Sequence, residues 1–83
     1  MKVIYFSTAF CQPCKALKPL VQEVAAQLGT QVEYVDAQNQ REFAESLGVS
    51  SVPTLVGTRN GTVIFKHTGV TTKERLLQLF KQI

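Results

Sequence analysis

The only two cysteines in this chain, Cys11 and Cys14, stand two residues apart in Phe10-Cys11-Gln12-Pro13-Cys14-Lys15. Thiols at this spacing can reach each other across one turn of helix and can close a small disulfide ring. The stretch sits where an apolar run, Val3-Ile4-Tyr5-Phe6, gives way to a helical pattern starting near Gln12. If Cys11 caps that helix, its sulfur faces unpaired backbone N–H groups and the positive end of the helix dipole. Such surroundings favour thiolate over thiol, and the thiolate is the nucleophile of disulfide exchange. The same spacing can also be half of a zinc site. Structural zinc takes four ligands, however, and only His67 is left to join the two cysteines.

Eighty-three residues are enough for one domain over 1–83 with a modest core. Two cysteines are too few for the disulfide framework that staples small secreted domains. After Met1-Lys2 the apolar run is only about four residues, well short of a signal-peptide core. No stretch approaches the roughly 18 apolar residues of a membrane span. A reducing, cytoplasmic setting with no membrane partner is therefore expected. The net charge of +3 comes from scattered lysines and arginines with no basic run, which argues against a nucleic-acid partner.

Lys2 to Ser7 reads as a strand (β1) whose continuous apolar run suits burial on both faces. Gln12 to Leu28 reads as a helix (α1), with Leu17, Leu20, Val21, Val24 and Leu28 inward and Lys15, Lys18, Gln22 and Gln27 outward. Pro19 lies inside it and Gly29 is its stop signal. Gln31 to Asp36 reads as a second strand (β2), parallel to the first because a helix joins them. Asn39-Gln40-Arg41-Glu42 resembles a capping box opening a second helix (α2), with Phe43, Ala44 and Leu47 inward and Gly48 at its end. Thr54 to Thr58 (β3) and Thr62 to His67 (β4) flank Arg59-Asn60-Gly61, and Asn-Gly is a strong hairpin signal. Thr71-Thr72-Lys73-Glu74 reads as another capping box. It opens a last helix (α3) that buries Leu76, Leu77, Phe80 and Ile83. The order is βαβαββα.

Taken together, these features resemble the thioredoxin family. Thioredoxins carry C-x-x-C at the start of a helix, a proline inside that helix (Pro19), a Val-Pro-Thr segment opening the third strand (Val52-Pro53-Thr54), an Asn-Gly hairpin (Asn60-Gly61) and a glycine before the last helix (Gly69). All occur here in order, and the resemblance covers residues 2 to 83. It implies an α/β thioredoxin-like fold with a four-stranded mixed sheet in the order β2-β1-β3-β4, flanked by three helices. Thioredoxins begin with a further strand and helix. Without them Gln31 to Asp36 would be a sheet edge, which polar Gln31 and Glu33 suit.

By the same resemblance, Cys11 attacks a substrate disulfide and Cys14 resolves the mixed disulfide. Gln12-Pro13 replaces the Gly-Pro common in thioredoxins, and Pro13 suits the first turn of a helix. Pro53, alone an ordinary trans proline, corresponds within the family to a cis proline beside the cysteines. There it exposes the Val52 backbone for pairing with substrate. Phe10 stands where thioredoxins have tryptophan, and either meets a protein surface or packs in the core. Gly69 completes the substrate-facing set. Two positions depart from the family pattern. Tyr5 replaces a buried aspartate behind the second cysteine, and Tyr34 replaces its companion lysine. Tyrosine, with an ordinary pKa of about 10, can donate a hydrogen bond at pH 7 but is a poor base. His67 reads as a surface histidine without a catalytic role.

The implied activity is that of a monomeric protein-disulfide reductase. It needs no resident cofactor and is recharged with NADPH electrons by a thioredoxin-reductase-like flavoenzyme. Its clients are disulfide-containing proteins, ribonucleotide reductase among them by family analogy. A glutaredoxin-like, glutathione-dependent reductase is the neighbouring reading. His67-Thr68-Gly69-Val70-Thr71 lacks the Gly-Gly and acid by which glutaredoxins hold glutathione. From a different class, the chain reads as a binding or assembly subunit whose cysteines are dispensable.

Overall fold

The computed structural model of the chain describes residues 2–82. Its elements are β1 (Lys2–Ser7), α1 (Gln12–Leu28), β2 (Val32–Asp36), α2 (Arg41–Ser46), β3 (Thr54–Arg59), β4 (Thr62–Thr68) and α3 (Lys73–Phe80). The strands form one sheet in the order β2-β1-β3-β4. β1 and β2 run parallel, and the other neighbouring strands are antiparallel. The expected order and topology are those observed; β2 starts one residue later than expected, and β3 and β4 each run one residue longer.

β1 is the centre of this arrangement because side chains alternate along a strand. Val3 and Tyr5 join Leu17, Val21 and Val24 of α1 and Leu76, Leu79 and Phe80 of α3 in the larger core. Ile4 and Phe6 point the other way, into a smaller core with Val35, Ala44, Val49 and Val56. Both faces of β1 are thus covered, as its unbroken apolar run requires. β2 is an edge strand, with Glu33 reaching back to Lys2 at 3.0 Å.

The helix ends follow local chemistry, with corrections to the expected caps and buried faces. α1 closes at Gly29 in the left-handed region (φ 65), and the Thr30 N–H bonds the Ala25 carbonyl at 2.9 Å. Ala25 is buried, whereas Leu28, in the last turn beyond the packed core, is 37% exposed. The capping box expected at Asn39 does not form. The N-cap of α2 is Gln40, with no side-chain bond. The Asp36 carboxylate at the end of β2 takes the turn amides instead, from Gln38 at 2.8 Å and Asn39 at 3.3 Å. Within α2 only Ala44 is buried. Phe43 rests at the rim with its ring 5.7 Å from Phe6, and Leu47 is half-buried. α3 is capped by Thr72, one residue later than expected, which accepts from the Arg75 N–H. Leu79 is buried along with Leu76 and Phe80, while Leu77 is half-buried; Ile83 lies outside the described residues.

The hairpin forms at Asn60 (φ 52) and Gly61 (φ 79), the positive angles that Asn-Gly tolerates. Gly57 has a different task. A Cβ there would collide with the edge of the Phe65 ring, so the missing side chain lets Phe65 pack over β3 into the larger core.

Candidate active site

β1 ends at Ser7, and the next residues turn the chain into α1, with the Cys11 N–H bonded to the Thr8 carbonyl at 3.3 Å. Cys11 is the N-cap, in an extended conformation (φ −92, ψ 105), and its Sγ accepts the Cys14 N–H at 3.1 Å. Pro13 fills the first turn, where its missing N–H leaves no gap in the ladder. Cys11 and Cys14 are joined in a disulfide, their Cα atoms 5.2 Å apart. The two sulfur residues differ in access: Cys11 is half-buried and Cys14 is 3% exposed.

Behind Cys14 lies Tyr5, fully buried, whose hydroxyl donates to the Cys14 carbonyl at 2.7 Å. Burial, with a further push from Tyr34, raises the Tyr5 phenol from 10.0 to about 12. It therefore stays neutral across the physiological range and serves as a donor. Tyr34 pairs with Tyr5 across β1 and β2, and the two rings meet edge to face at 5.9 Å. Burial raises the Tyr34 phenol as well. The Lys18 ammonium stands 5.2 Å from the Tyr34 ring centroid. Ser7, Cys14, Lys15, Lys18 and Asp36 line a cleft of about 260 Å³ beside this assembly.

Thr54 pairs with Phe6, so Pro53 stands at the end of β3 nearest the cysteine turn. The Val52–Pro53 bond is cis, as the family resemblance implies. The Thr54 hydroxyl donates to the Ser51 carbonyl at 2.7 Å and lies 3.1 Å from the Thr68 hydroxyl. The Gly69 N–H donates to the Pro53 carbonyl at 2.8 Å. These bonds fix Val52 and Gly69 at the same end of the sheet as Cys11. Phe10 is 90% exposed and Val70, next to Gly69, is 56% exposed, so the core reading of Phe10 does not hold. Gln12 and Pro13 are exposed beside them. On the α2 side a cleft of about 500 Å³ opens between Thr8, Arg41, Ser51 and Val52.

All eight residues singled out in the sequence (Phe10, Cys11, Gln12, Pro13, Cys14, Val52, Pro53 and Gly69) thus gather at one end of the sheet. Other residues share it, among them Lys18, Asp36 and Val70. By helical pattern alone Lys18 faces simply outward, although its place four residues after Cys14 puts the two on one helix stripe. His67 is corrected too. It pairs with Leu55, whose side chain joins the larger core, and its Nε2 is buried without a partner among the described residues.

The Thioredoxin family profile matches residues 1–82. Thioredoxin of Bacillus subtilis is 33% identical over 76 residues, covering 89% of this chain and 73% of that protein. Thioredoxin of Methanocaldococcus jannaschii is 34% identical, covering 99% of this chain and 94% of its own length. Among solved structures, a mutant thioredoxin from Halobacterium salinarum superposes with a TM-score of 0.90 at 29% identity, over 96% of this chain and 71% of that one. Thioredoxin 1 of Thermosipho africanus gives 0.87 over 99% and 92%; at 22% identity it speaks for the fold alone. With a redox-capable cysteine pair on a helix N-terminus and these likenesses along its length, the chain belongs to the thioredoxin family.

Proposed function

We propose that this thiol–disulfide oxidoreductase reduces disulfides in client proteins, with Cys11 attacking and Cys14 resolving. The observation that carries the assignment is the difference between the two sulfurs. Cys11 caps the helix with its Sγ 3.1 Å from an amide and is itself half-buried, while Cys14 is buried one turn behind it. An N-cap amide and the helix dipole stabilise a thiolate, and solvent access admits a client.

The Cys11 thiolate attacks one client sulfur, and the other leaves as a thiolate that takes a proton. The Cys14 thiolate then attacks Cys11 Sγ, expelling the second client sulfur and closing the Cys11–Cys14 ring. Two electrons and two protons pass to the client. Phe10 and Val70 supply apolar contact, the Val52 backbone offers strand-like pairing, and Gly69 leaves room for a close main chain. Gln12 and Pro13 form the rim over which the client disulfide approaches, and Pro53 sets the Val52 loop.

The ring is reopened by a thioredoxin-reductase-like flavoenzyme drawing on NADPH, so the carrier itself works as a monomer without a resident cofactor. Ribonucleotide reductase is one client class in this reading. No helix of the described residues is long and apolar enough to cross a membrane. A reducing compartment, here the cytoplasm, suits a dithiol carrier.

Insulin-disulfide reduction, run in parallel with two electron sources, tests the reading. Turnover is expected with thioredoxin reductase and NADPH, and little with glutathione and glutathione reductase. Turnover with glutathione alone overturns the choice of donor. A Cys11→Ser variant that still supports the biological role overturns the reductase reading in favour of a binding subunit.

A further inference from the structure

When the mixed disulfide resolves, Cys14 must react as a thiolate, and burial disfavours the charged form of a thiol. Cys14 is 3% exposed. The phenol behind it is committed elsewhere, since the Tyr5 hydroxyl donates to the Cys14 carbonyl and not to its sulfur. The cap amide is committed as well, because the Cys14 N–H bonds Cys11 Sγ. The charge on the Cys14 sulfur has to be met from the cleft.

Lys18 follows Cys14 by one turn of α1, and both line that cleft. A free lysine stem samples many rotamers, but here the Tyr34 ring face, 5.2 Å away, keeps the ammonium on the cleft wall. Tyr34 is in turn braced edge to face by Tyr5. The other groups facing Cys14 come from each neighbouring element. On α1 they are Lys15 and Cys11; on β1, Tyr5; on β2, Tyr34 and Asp36. His67 of β4 shares this face two strands away from β1. Asp36 opposes the lysines with a single negative charge, and its Oδ1 also accepts from the Gln38 and Asn39 amides. The cleft therefore carries two lysines against one carboxylate.

We propose that Lys18, seated over Tyr34, is a positioning residue that stabilises the Cys14 thiolate for the resolving step. The inference rests on Cys14 being the resolving thiol. In that step the Cys14 proton leaves to solvent in the cleft, and the thiolate attacks Cys11 Sγ. The Cys11–Cys14 bond forms as the Cys11–client bond breaks, and the client sulfur departs with the electron pair and is then protonated. Lys18 gives up neither proton nor electrons; it supplies a field.

The test is the pH midpoint of the Cys14 Cβ chemical shift in reduced Cys11→Ser protein, followed by carbon NMR. Lys18→Met keeps the apolar stem and is expected to move the midpoint to higher pH, whereas Lys18→Arg restores the original value. In the dithiol protein, Lys18→Met is expected to slow resolution at neutral pH by about threefold, a modest effect because the ammonium is solvent-exposed. The rate of attack by Cys11 should not change. A midpoint that ignores Lys18→Met, or that Lys18→Arg moves as far, overturns the proposal. A shifted midpoint with unchanged resolution overturns instead the assignment of Cys14 as resolving thiol.

Discussion

Around Cys11 the surface is open and apolar, with Phe10 90% exposed and Val70 56% exposed. Around Cys14 the chain is closed: Tyr5 and Leu17 are at most 1% exposed, and a small cleft lined in part by Lys15, Lys18 and Asp36 opens beside it. The two surroundings meet across one disulfide and one turn of helix. A rim that loses side chains should lose clients, while a wall that loses them should lose stability or the timing of resolution. Substitutions on the two sides should therefore separate rate from folding.

The largest separation is expected from Cys11→Ala. Insulin reduction should fall to the uncatalysed background while urea unfolding stays near that of the reduced wild type, because a half-exposed sulfur contributes little packing. Leu17→Ala should do the reverse. Truncating a leucine that is 1% exposed in the larger core costs about 2–5 kcal/mol. Chemical denaturation would show the loss, with turnover per folded molecule largely kept. Phe10→Ala is a smaller change on the rim. Its stability should stay within about 0.5 kcal/mol of wild type, while the KM for a protein client rises roughly fivefold, as expected for about 1 kcal/mol of aromatic contact.

Tyr5→Phe is the smallest change and the finest probe of the wall. It removes one buried hydrogen bond, about 1 kcal/mol at neutral pH, and should leave the reduction rate within about threefold. Its alkaline behaviour is more telling. The folded phenol is raised from 10.0 to about 12, so the folded state holds that proton more tightly than the unfolded chain does. The associated stability is whole below pH 10 and is lost as pH rises through 12. Without the phenol, Tyr5→Phe should lose stability less steeply than wild type between pH 10 and 12. Urea titrations at stepped pH would measure the difference. Equal slopes would mean that the Tyr5 ionisation is not what weakens the fold there.

The rim was largely legible in the sequence because its determinants are local. A cysteine before Gln-Pro-Cys can cap only the helix it begins, Gly29 can stop it, and Asn60-Gly61 can turn a hairpin. The Val52-Pro53-Thr54 segment and Gly69 came from family resemblance rather than from local physics. The wall was less legible because its contacts join distant segments. Lys18 has an outward pattern on α1 and acquires its neighbour only when β2 lays Tyr34 beside Tyr5. Asp36 took the turn that Asn39 appeared suited to cap, since the end of a strand delivers its carboxylate to those amides. Phe43 is apolar enough for a core, but α2 is too short to bury more than Ala44. His67 follows strand alternation once the register with Leu55 is fixed, and the sequence alone does not fix that register.

The most direct test of the division between rim and wall is to trap the intermediate. Reduced Cys14→Ala protein, mixed with a disulfide-bonded client peptide and quenched in acid, should accumulate a mixed disulfide. Peptide mapping by mass spectrometry should place it on Cys11. The matching Cys11→Ala protein should accumulate almost none. An adduct that forms readily on Cys14 of the Cys11→Ala protein, and not on Cys11, would contradict the account.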